Sequence, residues 1–389
     1  MILIIAIILI LIIITSICMY NKESFSELTS SGYGFNHEKK CNIFVPFNNI
    51  DLMTDFKLLS LTQQLKYNIL KPPNNLIYTN TEEGVLGRTP LAYTNIILIP
   101  GLGDCLLYQN GTEVWPNNSK NLKLSQYTEV LPNENGHFST ILNLLESMNY
   151  RLGYKLNILP YNFINIDINQ ITKQLQSYLI DNTVIIAYDF GCVIANTCVQ
   201  QLSLSQKNKI NKLLYVCPTI GGSVTAIKNY LTLDTKDIIK DSEGLLLSFP
   251  TDVFYNHSVL KYNNIDYYSD QISNLFKINK IDTSFMFNNP NINTIIVGCK
   301  GIQTITKLNY KNNLKSEPKS YLPYLDNSGP ELSKIQGETN DGDGIIPIEN
   351  IYKLHHLWNS NSILEIINNK DHYNILKSYE LGIIISSLI

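Results

Sequence analysis

An open α/β fold, with a mostly parallel sheet covered by helices on both faces, is what the sequence predicts, on three observations. Short apolar runs at Asn95 to Ile99, Thr183 to Ala187, Leu213 to Val216 and Thr294 to Val297 have the composition of strands buried on both sides. Segments of helical period lie between most of them, so strands and helices alternate. The runs also end at turn residues, Pro100-Gly101 after the first and Pro218 after the third. With 389 residues the chain can bury a full core, as one large domain with insertions or as two modest ones.

Taken in chain order, Met1 to Tyr20 carries no charged side chain and Ile2 to Ile14 is wholly apolar, a length that matches the hydrocarbon core of a bilayer. A single-pass N-terminal anchor over residues 1–20 is expected. A secretory signal peptide, leaving the chain secreted or lumenal, is the alternative, but its basic start and a clear A-x-A site are absent. Residues 21–93 read as a stalk and an N-terminal helical segment, with Leu52, Phe56, Leu59 and Leu65 at helical spacing before Pro72-Pro73. The α/β domain spans 94–389. Within it Phe138 to Met148 has helical period, and Leu156 to Leu159 reads as a strand. Asp167 can cap a helix carrying Ile168, Ile171, Leu175 and Leu179. A helix is expected from about Gly191 to Leu202, a cap at about 231–293, a last strand at Ile363 to Ile367 and a closing helix from Asn374 to Ile389.

The formal net charge is −3 and no block of like charge stands out, so no nucleic-acid partner is suggested. The seven cysteines are Cys18, Cys41, Cys105, Cys192, Cys198, Cys217 and Cys299. They form no C-x-x-C or Cys/His cluster, so neither a metal site nor another cofactor is expected. Cys192, Cys198 and Cys217 read as small buried hydrophobes. Sequons at Asn110, Asn117 and Asn256 weigh slightly toward lumenal exposure.

Chemistry concentrates in three places. At Ala187-Tyr188-Asp189-Phe190-Gly191 a strand turns sharply into a helix, with small residues two before and two after the centre, as a nucleophile elbow requires. The central residue is Asp189, a type that tolerates positive φ. The bland reading is an ordinary turn with Asp189 capping the helix. Asn340-Asp341-Gly342-Asp343-Gly344 is a glycine-flanked acidic turn; it could bind calcium, but the remaining ligands of an EF-hand loop are missing. His372 lies in the loop after the last strand, which completes the order elbow, acid, histidine.

With these residues in view, the stretch from about Asn95 to the C-terminus resembles the lecithin:cholesterol acyltransferases and their relatives, lysosomal phospholipase A2 and the phospholipid:diacylglycerol acyltransferases, within the α/β-hydrolase fold. Ile97 to Gly103 looks like the family's strand and V-P-G loop, and Pro160-Tyr161-Asn162-Phe163 like P-Y-D-W. Ala187 to Gly191 stands for G-H-S-x-G, Cys217 to Ser223 for A-P-x-x-G-S, Gly342 to Pro347 for G-D-G-T-V-P, and His372 with Asn374 for H-x-N. The resemblance implies that Asp343 is the triad acid, His372 the base, and the N–H groups of Leu102 and Phe190 the oxyanion hole. It also implies a phospholipid or other lipid ligand, at a membrane.

Departures matter as much. Asp189 replaces the nucleophilic serine, Tyr188 the preceding histidine, and Asn162 and Ile164 the Asp and Arg that follow P-Y. The family's lid disulfide has no counterpart, and Trp115 in the lid region is a membrane-facing aromatic or a core residue. A carboxylate is a poor acyl-transfer nucleophile, and losing the serine removes ~10⁶-fold of rate in a triad enzyme. Three expectations follow: a degenerate member that binds lipid or protein; an Asp-His-Asp hydrolase acting on an epoxide-like carbon; or residual acyl hydrolysis or transfer by another arrangement, such as water that His372 activates.

Overall fold

The computed structural model describes residues 76–81, 84–90, 94–116, 128–148, 150–232, 240, 242–278, 283–310 and 336–389. The expected anchor at 1–20, the helical segment before Pro72 and the sequon at Asn117 lie outside them. Among the described residues no helix is long and apolar enough to cross a membrane. Where the stalk was expected, Leu76–Thr81 and Gly84–Pro90 pair as an antiparallel hairpin.

The chain divides into two units. One comprises Met1–Tyr93, Ser139–Arg151 and Lys377–Ile389; the other, Thr94–Phe138 and Leu152–Leu376, holds every candidate site residue. Six strands of the seven-stranded sheet lie wholly in the second: β1 (Asn95–Ile99), β2 (Lys155–Ile158), β3 (Thr183–Tyr188), β4 (Ile210–Val216), β5 (Thr294–Lys300) and β6 (Ser362–Asn368). They run in the order β2-β1-β3-β4-β5-β6, every neighbouring pair parallel. All residues of β1 and β3 are buried, which is why these two read as unbroken apolar runs. The chain steps outward from β1 to β2, returns to β3 on the other side of β1, and continues to β6. The switch point therefore lies between the carboxyl ends of β1 and β3, where an open α/β sheet leaves its binding crevice.

Two helices matter for the site. Asp167 caps α1 (Ile168–Tyr178) by accepting from the N–H of Gln170, as its sequence predicts. The buried helix α2 (Gly191–Gln201) follows β3 directly. Its first residue fits only because it lacks a side chain: a Cβ on Gly191 would stand 2.4 Å from the carbonyl oxygens of both Ile99 and Pro100. Gly191→Ala must therefore push α2 away from the loop that carries Leu102. Thermal unfolding should show a loss of ~3 kcal/mol or more. An unchanged Tm would mean that the helix does not pack this closely.

The remaining sheets carry weaker signals. Cys105–Gln109 pairs antiparallel with Thr112–Trp115 and with Glu129–Pro132. Ile302–Tyr310 pairs antiparallel with Gln336–Gly342 and parallel with Leu260–Tyr262. The region expected as a cap is mixed, with helices at Glu243–Leu247 and Ser269–Phe276 and a hairpin of Leu260–Tyr262 with Ile265–Tyr267. Beyond β6 the expected single closing helix is two pieces, a 3₁₀ turn at Asn374–Lys377 and a helix at Tyr379–Leu388. The second starts where Ser378 Oγ accepts the N–H of Leu381.

Candidate active site

The sharp turn after β3 places Asp189 in the left-handed region, with φ 53°. Such a φ is costly for most side chains and tolerated by aspartate. The backbone around it is tied down: Asp189 N–H donates to Val216 O (3.0 Å), and Cys192 N–H donates to Asp189 O (3.1 Å). The ordinary capping role is not the one observed. Phe190 occupies the cap of α2, with its ring buried beside Tyr161, while the Asp189 carboxylate turns toward the β1 loop. There its Oδ2 accepts the N–H of Leu102 at 2.9 Å. Gly101 permits this approach, since a Cβ at that position would lie 3.0 Å from the same oxygen.

Asp343 follows Gln336–Gly342, and its carboxylate is fixed from two sides. Oδ1 accepts the N–H groups of Ile345 (2.8 Å) and Ile346 (2.6 Å), and Oδ2 lies 2.8 Å from His372 Nδ1. The Asp343 carbonyl also accepts the His372 N–H at 2.8 Å, so the loop after β6 is held in register with the acid. Asp341 in the same turn is exposed and bonds to the Gly301 N–H, away from Asp343. The two carboxylates thus do not converge as cation ligands.

His372 therefore stands between two carboxylates. Its Nε2 is 3.3 Å from Asp189 Oδ1, within ion-pair distance but off hydrogen-bond alignment, and neither atom makes a hydrogen bond. Asp189, Asp343 and His372 are 1, 2 and 1% exposed. Burial pushes the imidazole toward neutrality, but the charge of Asp343, the facing Asp189 and the hydrogen bond to Asp343 outweigh it. The result holds His372 up to about 10. At neutral pH His372 thus keeps its proton, and an imidazolium has no lone pair with which to act as the base.

Aromatic rings close the site. The Tyr188 hydroxyl donates to the His372 carbonyl (2.9 Å) and its ring lies 5.2 Å from the imidazole. Tyr373 meets His372 edge-on and stacks on His137. Trp115 is buried rather than facing a membrane: its indole N–H donates to Gly103 O at 2.7 Å and its ring packs edge-on against Phe163. It fastens the loop that presents Leu102.

The structure brings Asp189, Asp343, His372 and the Leu102 N–H together, with Phe190 next to Asp189 in the elbow. Cys217 is buried, as its sequence predicts, but the sequence did not set it beside the site: it lies at the carboxyl end of β4 with φ 45° and no exposure. One ligand atom each of Cys217, Asp343 and His372 lie within 4.8 Å of one another. Its place at a strand end before Pro218 was the available signal.

No protein-family model matches the chain, and no curated protein is similar to it in sequence. Solved structures are. A chain from the crystal structure of the Tle4–Tli4 complex matches at 10% identity and a TM-score of 0.50, over 76% of this chain and 98% of that one. An extracellular α/β-hydrolase from a Paenibacillus species, described as sharing homology with tobacco salicylic acid binding protein 2, is 13% identical over 76% of this chain and 96% of its own, with a TM-score of 0.27. Phospholipase PlaB from Legionella pneumophila is 10% identical over 53% and 39%, also at 0.27. The match to the Tle4–Tli4 chain is a likeness of fold, in keeping with the mostly parallel sheet and its strand order. At these identities the likeness speaks to fold and not to reaction.

Proposed function

We propose that this chain is a catalytically silent relative of the lecithin:cholesterol acyltransferase-like hydrolases, held at a membrane by its N-terminal apolar segment and retained to bind lipid. One observation carries the reading: the Asp189 carboxylate takes the Leu102 N–H at 2.9 Å. In the intact mechanism that donor stabilises the oxyanion of the substrate, at ~3–4 kcal/mol per donor. Here the residue in the nucleophile's place consumes the donor, carries the charge the hole is built to receive, and keeps the histidine protonated.

A second reading rests on the 3.3 Å approach of His372 Nε2 to Asp189 Oδ1. If Asp189 displaced a leaving group from a saturated carbon, the resulting ester would cancel its charge. His372 could then lose a proton and activate water. The same experiment separates the two. The full chain is mixed with phospholipid vesicles carrying a fluorogenic acyl ester or an aliphatic epoxide, and both sedimentation and turnover are followed. Sedimentation with vesicles and no turnover of either substrate is expected. Epoxide turnover that in His372→Ala stops after one equivalent, with the alkyl ester left on Asp189, would establish the second reading, and ester turnover abolished by that substitution would overturn the first.

A further inference from the structure

Loss of the hydroxyl nucleophile leaves a buried acid, imidazole and thiol in contact without an evident catalytic task. Cys217 is fully buried, Asp343 and His372 nearly so, and one ligand atom of each falls within 4.8 Å of the others. A thiolate, an imidazole and a carboxylate are a donor set that suits zinc and similar borderline-soft divalent ions. Beside the cluster, Asp189 Oδ1 and His372 Nε2 are buried 3.3 Å apart and make no hydrogen bond, so hydrogen-bonding capacity at the His372 ring is left unmet.

We propose that Cys217, Asp343 and His372 form a binding site for a thiophilic divalent cation of the zinc class. Tetrahedral zinc with bonds of ~2.0–2.3 Å places its ligand atoms ~3.3–3.8 Å apart. Closing the cluster around an ion thus asks for movements on the order of 1 Å. Cys299 supports the set from outside. Its Sγ lies 3.9 Å from Cys217 Sγ, where its thiol can donate to a metal-bound thiolate. His372 then binds the ion through a ring nitrogen, and Asp343 exchanges a hydrogen bond for a metal bond. The site is sequestered, so loading accompanies folding.

The test is metal binding by the full chain, and its readout does not depend on whether any ester is turned over. The protein is unfolded under reducing conditions, refolded with excess Co(II), desalted and assayed for cobalt and for thiolate-to-cobalt charge-transfer absorption. One equivalent of cobalt with that absorption is expected in the wild type and in Cys192→Ala, whose thiol lies outside the cluster. Cys217→Ser, nearly isosteric, should fold and lose the absorption. Failure of the wild type to retain cobalt, retention without the charge-transfer absorption, or an unchanged absorption in Cys217→Ser would each overturn the proposal.

Discussion

Replacing Asp189 by serine should raise turnover of a short acyl ester at least ~10³-fold above the wild-type chain, from an immeasurable background. Loss of a triad serine costs ~10⁶-fold where the rest of the machinery is intact, so restoring it should recover a substantial part. The substitution does three things at once. It supplies the hydroxyl, returns the Leu102 N–H to the substrate's oxyanion, and removes one of the two carboxylates that hold His372 protonated. With Asp343 alone beside it, His372 should fall toward its ordinary range and become a base. A stopped assay with Asp189→Asn as control checks this, because Asn removes the charge without adding a nucleophile. An inert but folded Asp189→Ser variant would mean that the elbow no longer presents its side chain to a substrate.

His372→Ala should be the most destabilising change at the site, by ~3–5 kcal/mol in denaturant unfolding at neutral pH. Removing one partner of a buried ion cluster leaves the others uncompensated, here Asp189 and Asp343 together. In an Asp189→Asn background the loss should be smaller, since one carboxylate is gone. A pH dependence accompanies this. The folded value for His372, about 10, lies above its ordinary 6.5, so the folded state binds the proton more tightly than the unfolded one. The stabilisation is fully present below about 6.5 and is lost as pH rises through about 10. Stability should therefore decline over that window in the wild type, and this component should vanish in His372→Ala. Equal stability of the single variant and the wild type would show that the cluster is not a charged one.

Much of this arrangement was legible in the sequence because strong local signals coincided with global ones. The β1 and β3 runs are apolar on both faces, and Asp167 announces its helix. The small residues Ala187 and Gly191 bracket a residue type that accepts φ of 53°. Chain order set Asp343 and His372 in loops after later strands, and the structure brings both to Asp189. Gln336–Gly342 was not legible, because Gln-Gly-Glu-Thr-Asn-Asp-Gly holds no apolar residue and is a strand only by pairing with Ile302–Tyr310. Its partner alternates in burial through Thr304, Thr306 and Leu308, of which the last alone is a large hydrophobe. The break at Ser378 was hidden by the apolar residues on either side of it. The direction of the Asp189 side chain was likewise invisible: capping α2 and reaching Leu102 are equally open to a local motif, and packing against Gly101 decides between them.

We propose that an aspartate at the elbow turns a proton relay into a fixed ion cluster. The most direct measurement is the imidazole titration of His372, followed by NMR of ring-labelled protein with His372→Gln to assign its signals. In the metal-free chain the cluster predicts that His372 stays doubly protonated through neutral pH and loses its proton only near pH 10. A midpoint near 6.5 in the folded wild-type chain would contradict it, because the histidine would then be free to act as a base with Asp189 in place.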